Sequence, residues 1–159
     1  MKLTQKTSIA RLRMMVLFTG LMLISLSALS FAATPKIGES YGGGIVFYVD
    51  GTGQHGLIVA KADMTGHSDG KRDGELNWYD AKTVANSFVE SYNDWFLPNK
   101  EQLNQLYLQR GVVDGILEMY YWSASESDVN NAWAQDFTSG KQLAGSKANG
   151  SCVRAVRFF

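Results

Sequence analysis

The stretch Asp94-Trp95-Phe96-Leu97-Pro98-Asn99-Lys100-Glu101-Gln102-Leu103 joins a short apolar segment, a backbone stop and a helix start within a few residues. Pro98 disfavours the α region for Leu97, so no helix runs through that point. Asn99, with Gln102 three positions later, has the form of a capping box, in which each residue satisfies an orphaned amide of the other. An extended piece therefore feeds directly into a helix, predicted over residues 100–110. That helix buries Leu103, Leu106 and Tyr107 on one side and ends at Gly111 as its C′ residue.

Working outward, Asn77 offers a second cap, and Ala81, Val84, Ala85 and Phe88 follow at the spacing of one buried helix face. Before it, residues 63–75 are rich in Gly, Asp, Ser and Lys and read as a surface loop. Earlier still, Ile45-Val46-Phe47-Tyr48-Val49 and Leu57-Ile58-Val59-Ala60 flank turn chemistry, which predicts a hairpin with a loop of about six residues. After the second helix the chain reads as strands at 120–124, 131–137, 142–143 and 152–158, separated by turn-forming clusters. Hairpin, helix, helix and several strands make an α+β domain with an antiparallel sheet.

The first 32 residues read as a secretory signal peptide. Lys2, Lys6, Arg11 and Arg13 precede an apolar run over 14–31, and small residues at Ser30 and Ala32 place the cut between Ala32 and Ala33. No basic stop-transfer cluster follows, so no membrane association is expected once the segment is removed. Residues 33–159 are then 127 residues, the size of one domain. The leader holds four of the 15 Lys and Arg and none of the 15 Asp and Glu, so the remainder carries a formal charge of −4. An acidic balance argues against nucleic acid as a partner.

Cys152 is the only cysteine, which excludes an internal disulfide even in an exported protein, and its apolar neighbours predict a small buried residue in the last strand. Asp63, Asp69, Asp73 and Glu75 lie close together, but Lys71 and Arg72 interrupt them and the EF-hand spacing is absent, so they read as a solvated loop rather than a calcium site. His55 and His67 are the only histidines, too few for a histidine-based metal centre. No nucleophile, base and orienter set is present. The chain is therefore expected to be non-catalytic and to need no cofactor. Arg154 and Arg157 differ in strand parity, so one is expected to face inward, with Asp94 or Asp136 as its acidic partner.

The order of seven pieces adds a family. They are Tyr41-Gly42-Gly43-Gly44-Ile45-Val46-Phe47-Tyr48-Val49, His55-Gly56-Leu57-Ile58-Val59-Ala60, Trp78 with Asp80-Ala81, the opening stretch, Tyr121-Trp122-Ser123, Ala132-Trp133 with Phe137 and Gly140, and Val153-Arg154-Ala155-Val156-Arg157. Together they resemble the C-terminal domain family named after the Legionella collagen-like adhesin, whose members look like C-type-lectin-fold proteins. The resemblance implies an antiparallel sheet in which both chain ends meet, two flanking helices and an irregular long-loop region that supplies ligand contacts. It pairs the first strand with residues 153–158.

The named adhesin's domain is associated with trimers and with sulfated polysaccharide on host surfaces. The resemblance therefore implies a bacterial adhesion module, secreted, periplasmic or on the cell surface, that is a homotrimer and binds a glycan or polysaccharide. The alternative is a cell-envelope structural domain whose partner is a surface protein. A sulfated ligand requires Lys71, Arg72, Lys141, Lys147, Arg154 and Arg157 to cluster, and Phe96 stands where the family pattern tends to have arginine.

The same resemblance places Trp122, Ser123, Ser125, Glu126, Asn131, Trp133, Gln135 and Lys141 around the long-loop region. A sugar site needs an aromatic face for the apolar side of the ring and planar polar groups for its hydroxyls, and this segment has both. Core packing competes for the tryptophans, because Trp133 shares a strand face with Phe137 and Trp122 sits among apolar neighbours.

Overall fold

The computed structural model describes residues 34–159 apart from His67, Asp73, Phe88 and Glu90. The leader segment 1–32, the last position of the first helical face at Phe88, and the loop residues His67 and Asp73 lie outside the described residues. Four strands, β1 (Ser40–Tyr41), β2 (Gly44–Val49), β3 (Gly56–Ala60) and β7 (Val156–Phe158), form one antiparallel sheet in the order β1-β2-β3-β7. A second antiparallel sheet has the order β4-β5-β6, from β4 (Tyr120–Glu126), β5 (Asn131–Asp136) and β6 (Gln142–Ser146). Helices α1 (Trp78–Ala85) and α2 (Lys100–Leu108) lie between the sheets in the chain, so the class is α+β with two helices, as expected, but the strands form two antiparallel sheets where one was expected. Among the described residues no helix is long and apolar enough to cross a membrane.

Both helix starts follow from their caps. The Asn99 side chain accepts from the Gln102 amide at 2.8 Å, and the Gln102 side chain accepts from the Asn99 amide at 2.8 Å, which completes the capping box. Asn77 accepts from the amides of Tyr79 and Asp80, both at 3.0 Å. The end of α2 differs from the expectation. It stops at Leu108 and tightens into a 3-10 turn, Arg110–Val112, with Gly111 inside that turn instead of at C′. The Gln109 amide donates to the carbonyls of Gln105 and Leu106, both at 3.1 Å, and the Arg110 guanidinium donates to the Tyr107 carbonyl at 2.9 Å. The last carbonyls are thus satisfied without a left-handed glycine.

The β2–β3 hairpin has the expected six-residue loop between Val49 and Gly56. Gly44 is required at its base, since a Cβ there would lie 2.1 Å from the Val59 carbonyl oxygen. Strand β3 is buried along its whole length. Ile58 and Ala60 join a cluster with Trp78, Ala81 and Ala85 of α1, plus Trp95, Leu97 and Trp122. Leu57 and Val59 join a second cluster with Leu103 and Leu106 of α2, plus Tyr121 and Phe137. One helix therefore covers each face of the sheet. A buried tryptophan removes about 150–250 Å² from water, worth roughly 4–6 kcal/mol at most.

Pairing at the chain end corrects one expectation: β7 pairs with β3, through Leu57↔Phe158 and Val59↔Val156, and not with the first strand. The free edge of β2 is taken by β1, whereas β3, buried on both faces, needs a second neighbour for its backbone groups. Residues 151–156, all buried, stitch the two sheets together. The Ala60 amide donates to the Ala155 carbonyl at 2.9 Å, the Trp122 amide to Cys152 at 3.0 Å, and the Phe96 amide to Val156 at 2.8 Å.

The arginines also depart from the expected pairing. Arg154 is the inward one, 1% exposed, and its partner is Asp63. Their Nε and Oδ1 atoms lie 2.6 Å apart but off the N–H direction, so the contact is an ion pair and not a hydrogen bond. Asp94 pairs instead with the more accessible Arg157, at 2.7 and 2.9 Å, and Asp136 accepts from Thr138 and Ser139 in its own turn. Asp63 comes from a loop distant in sequence, which strand parity does not reveal.

Candidate functional site

Three of the four tryptophans are interior. Trp78, Trp95 and Trp122 are buried, and their indole N–H groups donate to the carbonyls of Ser123 at 2.8 Å, Val89 at 3.0 Å and Leu76 at 2.8 Å. Such anchoring is what a buried indole requires. Trp133 is half-buried on β5, between the inward residues Ala132 and Ala134. Lys100, the first residue of α2, places its ammonium 3.1 Å from the centroid of the Trp133 ring. A cation at that position opposes the helix dipole by a few tenths of a kcal/mol up to about 1, and the ring's negative face offsets this.

Polar groups gather around this pair. The Ser125 hydroxyl accepts from the Lys100 amide at 3.0 Å. Gln142 donates to the Lys100 carbonyl at 2.8 Å, and Gln135 donates to Asn104 at 2.9 Å and to the Gly140 carbonyl at 3.0 Å. The result is an aromatic ring beside an ammonium, two half-buried amides and a hydroxyl, all at the start of α2. Lys100 and Asn104 stand one helical turn apart, the i, i+4 relation that puts both on one side of α2. Sequence reasoning missed Lys100, Asn104 and Gln142, although that spacing was a usable signal.

The other expected contact residues are dispersed. Trp122, Ser123 and Gln135 are closed off from solvent, with Trp122 1% exposed beneath Gly145. Ser123 accepts from the Ser125 amide at 3.2 Å, an internal role. Glu126 and Asn131 sit at the β4–β5 turn, where Glu126 pairs with Lys147 and Asn131 donates to both oxygens of Asp128 at 3.0 and 2.9 Å. Lys141 is exposed at the β5–β6 turn. The structure thus brings Ser125, Trp133 and Gln135 together, and leaves Glu126, Asn131 and Lys141 at strand ends.

The basic residues do not assemble into one cluster. Arg72 pairs with Glu75, Lys147 with Glu126, Arg154 with Asp63 and Arg157 with Asp94. Four of the six cations that a polyanion would need are thereby engaged by carboxylates. Among the described residues, no group of three or more His, Cys, Asp and Glu side chains is arranged to hold a metal.

Cys152 lies where an apolar residue would, against Met119, with Sγ 4.0 Å from the thioether sulfur. Burial, reinforced by Asp63 and Glu75, pushes its thiol up to about 11. At pH 8 only about one thiol in a thousand is then ionised, and the thiolate is the reactive form. Labelling with an aromatic disulfide reagent at pH 8 is expected to be negligible in the folded protein and complete in guanidinium. Rapid labelling without denaturant would contradict the buried placement.

Residues 55–157 match the family model described as the Lcl C-terminal domain. The chain belongs to the Lcl C-terminal domain family. The match begins at the end of the β2–β3 loop and runs through both helices, the second sheet and most of β7, so it contains the Trp133 surface. No curated protein matches the chain. Membership of the Lcl C-terminal domain family makes this an adhesin-associated module, which is the family that the order of its sequence pieces implied.

Proposed function

We propose that this chain is a non-catalytic module of C-type-lectin-like fold, secreted or at the cell surface, that recognises a glycan in adhesion. The contact surface is Trp133 with Lys100, Ser125, Asn104 and Gln142, extended towards Lys141. The observation that carries the reading is the contrast among the tryptophans: three are anchored in the core, and the remaining ring stays half-open beside polar side chains. An indole face takes the apolar side of a sugar ring, while the amides and the ammonium take hydroxyls. The fold part of the proposal draws support from the sheet that holds both β1 and β7, the two helices and the separate three-stranded sheet. A neutral or weakly anionic glycan fits better than a densely sulfated one, because four of the six basic side chains that a polyanion would need already face carboxylates.

The test is a glycan array and a heparin column run on the protein lacking residues 1–32, with calcium and again with chelator. Glycan binding that survives chelation and disappears in Trp133→Ala is the expected result. Absence of any glycan signal under both conditions overturns the proposal and leaves a protein-binding domain of the cell envelope as the better account. Light scattering on the same sample reports whether the module is trimeric.

A further inference from the structure

A cavity of about 350 Å³ lies between the β2–β3 hairpin and α2, on the side of the helix away from Trp133. That volume is at the small end of the range for ligand sites, roughly 300–1,000 Å³. Leu57 contributes buried apolar surface, and two aromatic rings line the cavity while remaining open to solvent, Tyr48 at 37% and Phe158 at 58% exposure. Phe158 is held in place by stacking on Phe96, with centroids 5.0 Å apart and planes at 28°.

The rim is negative. Asp50 and Glu101 line it together with His55, and among the described lining residues there is no Lys or Arg. The hydrogen bond from the Thr52 hydroxyl, at 2.7 Å, holds the Asp50 carboxyl below its ordinary value, so it is ionised at neutral pH. Glu101 stands in the first turn of α2, where the helix dipole favours a negative charge. Lys100, its neighbour in sequence, is turned away onto the Trp133 ring. Two carboxylates and two aromatic rings around a small concavity are the elements that attract an organic cation, through ion pairing at the rim and contact with the rings at the walls. An anionic sugar is repelled there, and a neutral one leaves both charges unanswered.

We propose that this cavity binds a compact organic ammonium group, of the size of a trimethylammonium head. The assignment is independent of the glycan surface, which lies on the opposite side of α2. Choline is the probe, and 3,3-dimethylbutan-1-ol, the uncharged molecule of the same shape, is its control. Titration of the full chain followed by amide NMR is expected to move Gly56, Leu57 and Glu101 with a dissociation constant on the order of millimolar, as suits so small a ligand. The neutral control is expected to bind at least tenfold more weakly.

Glu101→Gln and Phe158→Ala, both at accessible positions, are each expected to weaken choline about tenfold with the fold intact by thermal melting. Trp133→Ala is expected to leave choline binding unchanged, so loss of the glycan reading and loss of this one are separable. Sedimentation with phosphatidylcholine vesicles distinguishes a lipid headgroup from a free ammonium metabolite as the source of the group. Equal affinity for choline and its neutral analogue, no binding of either, or unchanged affinity in Glu101→Gln overturns the proposal.

Discussion

Truncating Asp63 to alanine is expected to lower the unfolding free energy by about 3–5 kcal/mol, because it strands the guanidinium of Arg154 in the interior. Arg154 is fully enclosed, and its other amines donate to the carbonyls of Ala60 at 3.0 Å and Gly115 at 2.5 Å. Truncation takes away the oxygens themselves, which the protonated acid would keep, so the buried Nε faces no acceptor at all. The Tyr121 hydroxyl also donates to Asp63 at 2.9 Å and accepts from the Leu117 amide at 2.9 Å, so the same substitution loosens the segment before β4.

Removing both charges together, as Asp63→Leu with Arg154→Met, is expected to cost less than the two single changes summed. A coupling of about 2–3 kcal/mol by urea unfolding is the signature of such a pair, and strict additivity would rule it out. The pH dependence has a definite sign. Burial outweighs the attraction of Arg154 and raises the Asp63 carboxyl above its ordinary value. The contribution of that group to stability is therefore full below about pH 4, the ordinary carboxylate value, and is lost as pH rises through the raised value.

The second large effect separates two tryptophans that look equivalent in sequence. Trp122→Ala is expected to cost on the order of 3–5 kcal/mol, combining a core cavity with the loss of the indole hydrogen bond to the Leu76 carbonyl, which keeps only the Ser151 amide at 3.1 Å. That is a large part of the roughly 5–15 kcal/mol that holds a domain folded. Trp133→Ala is expected to cost about 1 kcal/mol, from the lost contact with Lys100, while abolishing the glycan signal. Urea midpoints compare the two, and a Trp122→Ala protein of near-normal stability would show that the indole is not in the core.

Particular residues show why some features were legible in advance. The capping box of Asn99 and Gln102 spans three positions, and the interaction is made within the segment that encodes it. The hairpin loop, the buried faces of α1 and α2 and the burial of Cys152 follow likewise from spacing and composition over short windows. The helix end did not, because Gln109 and Arg110 satisfied the last carbonyls that Gly111 was expected to serve. The partner of Arg154 did not, because Asp63 is brought to it by the passage of residues 151–156 between the sheets.

The candidate surface was half legible for the same reason. Trp122 and Trp133 were equal candidates for contact, and core packing competed for both, Trp122 through its apolar neighbours and Trp133 through the face it shares with Phe137. Burial is decided by which elements close over a side chain, here α1 and, at Gly145, strand β6. The helix starts, the strand pattern and the family are properties of short-range spacing and order, and the chain determines them by itself. The choice among four tryptophans, the ion pairs that disperse the basic residues, and the two sides of α2 belong to the tertiary structure, because each depends on groups that meet only after distant segments pack.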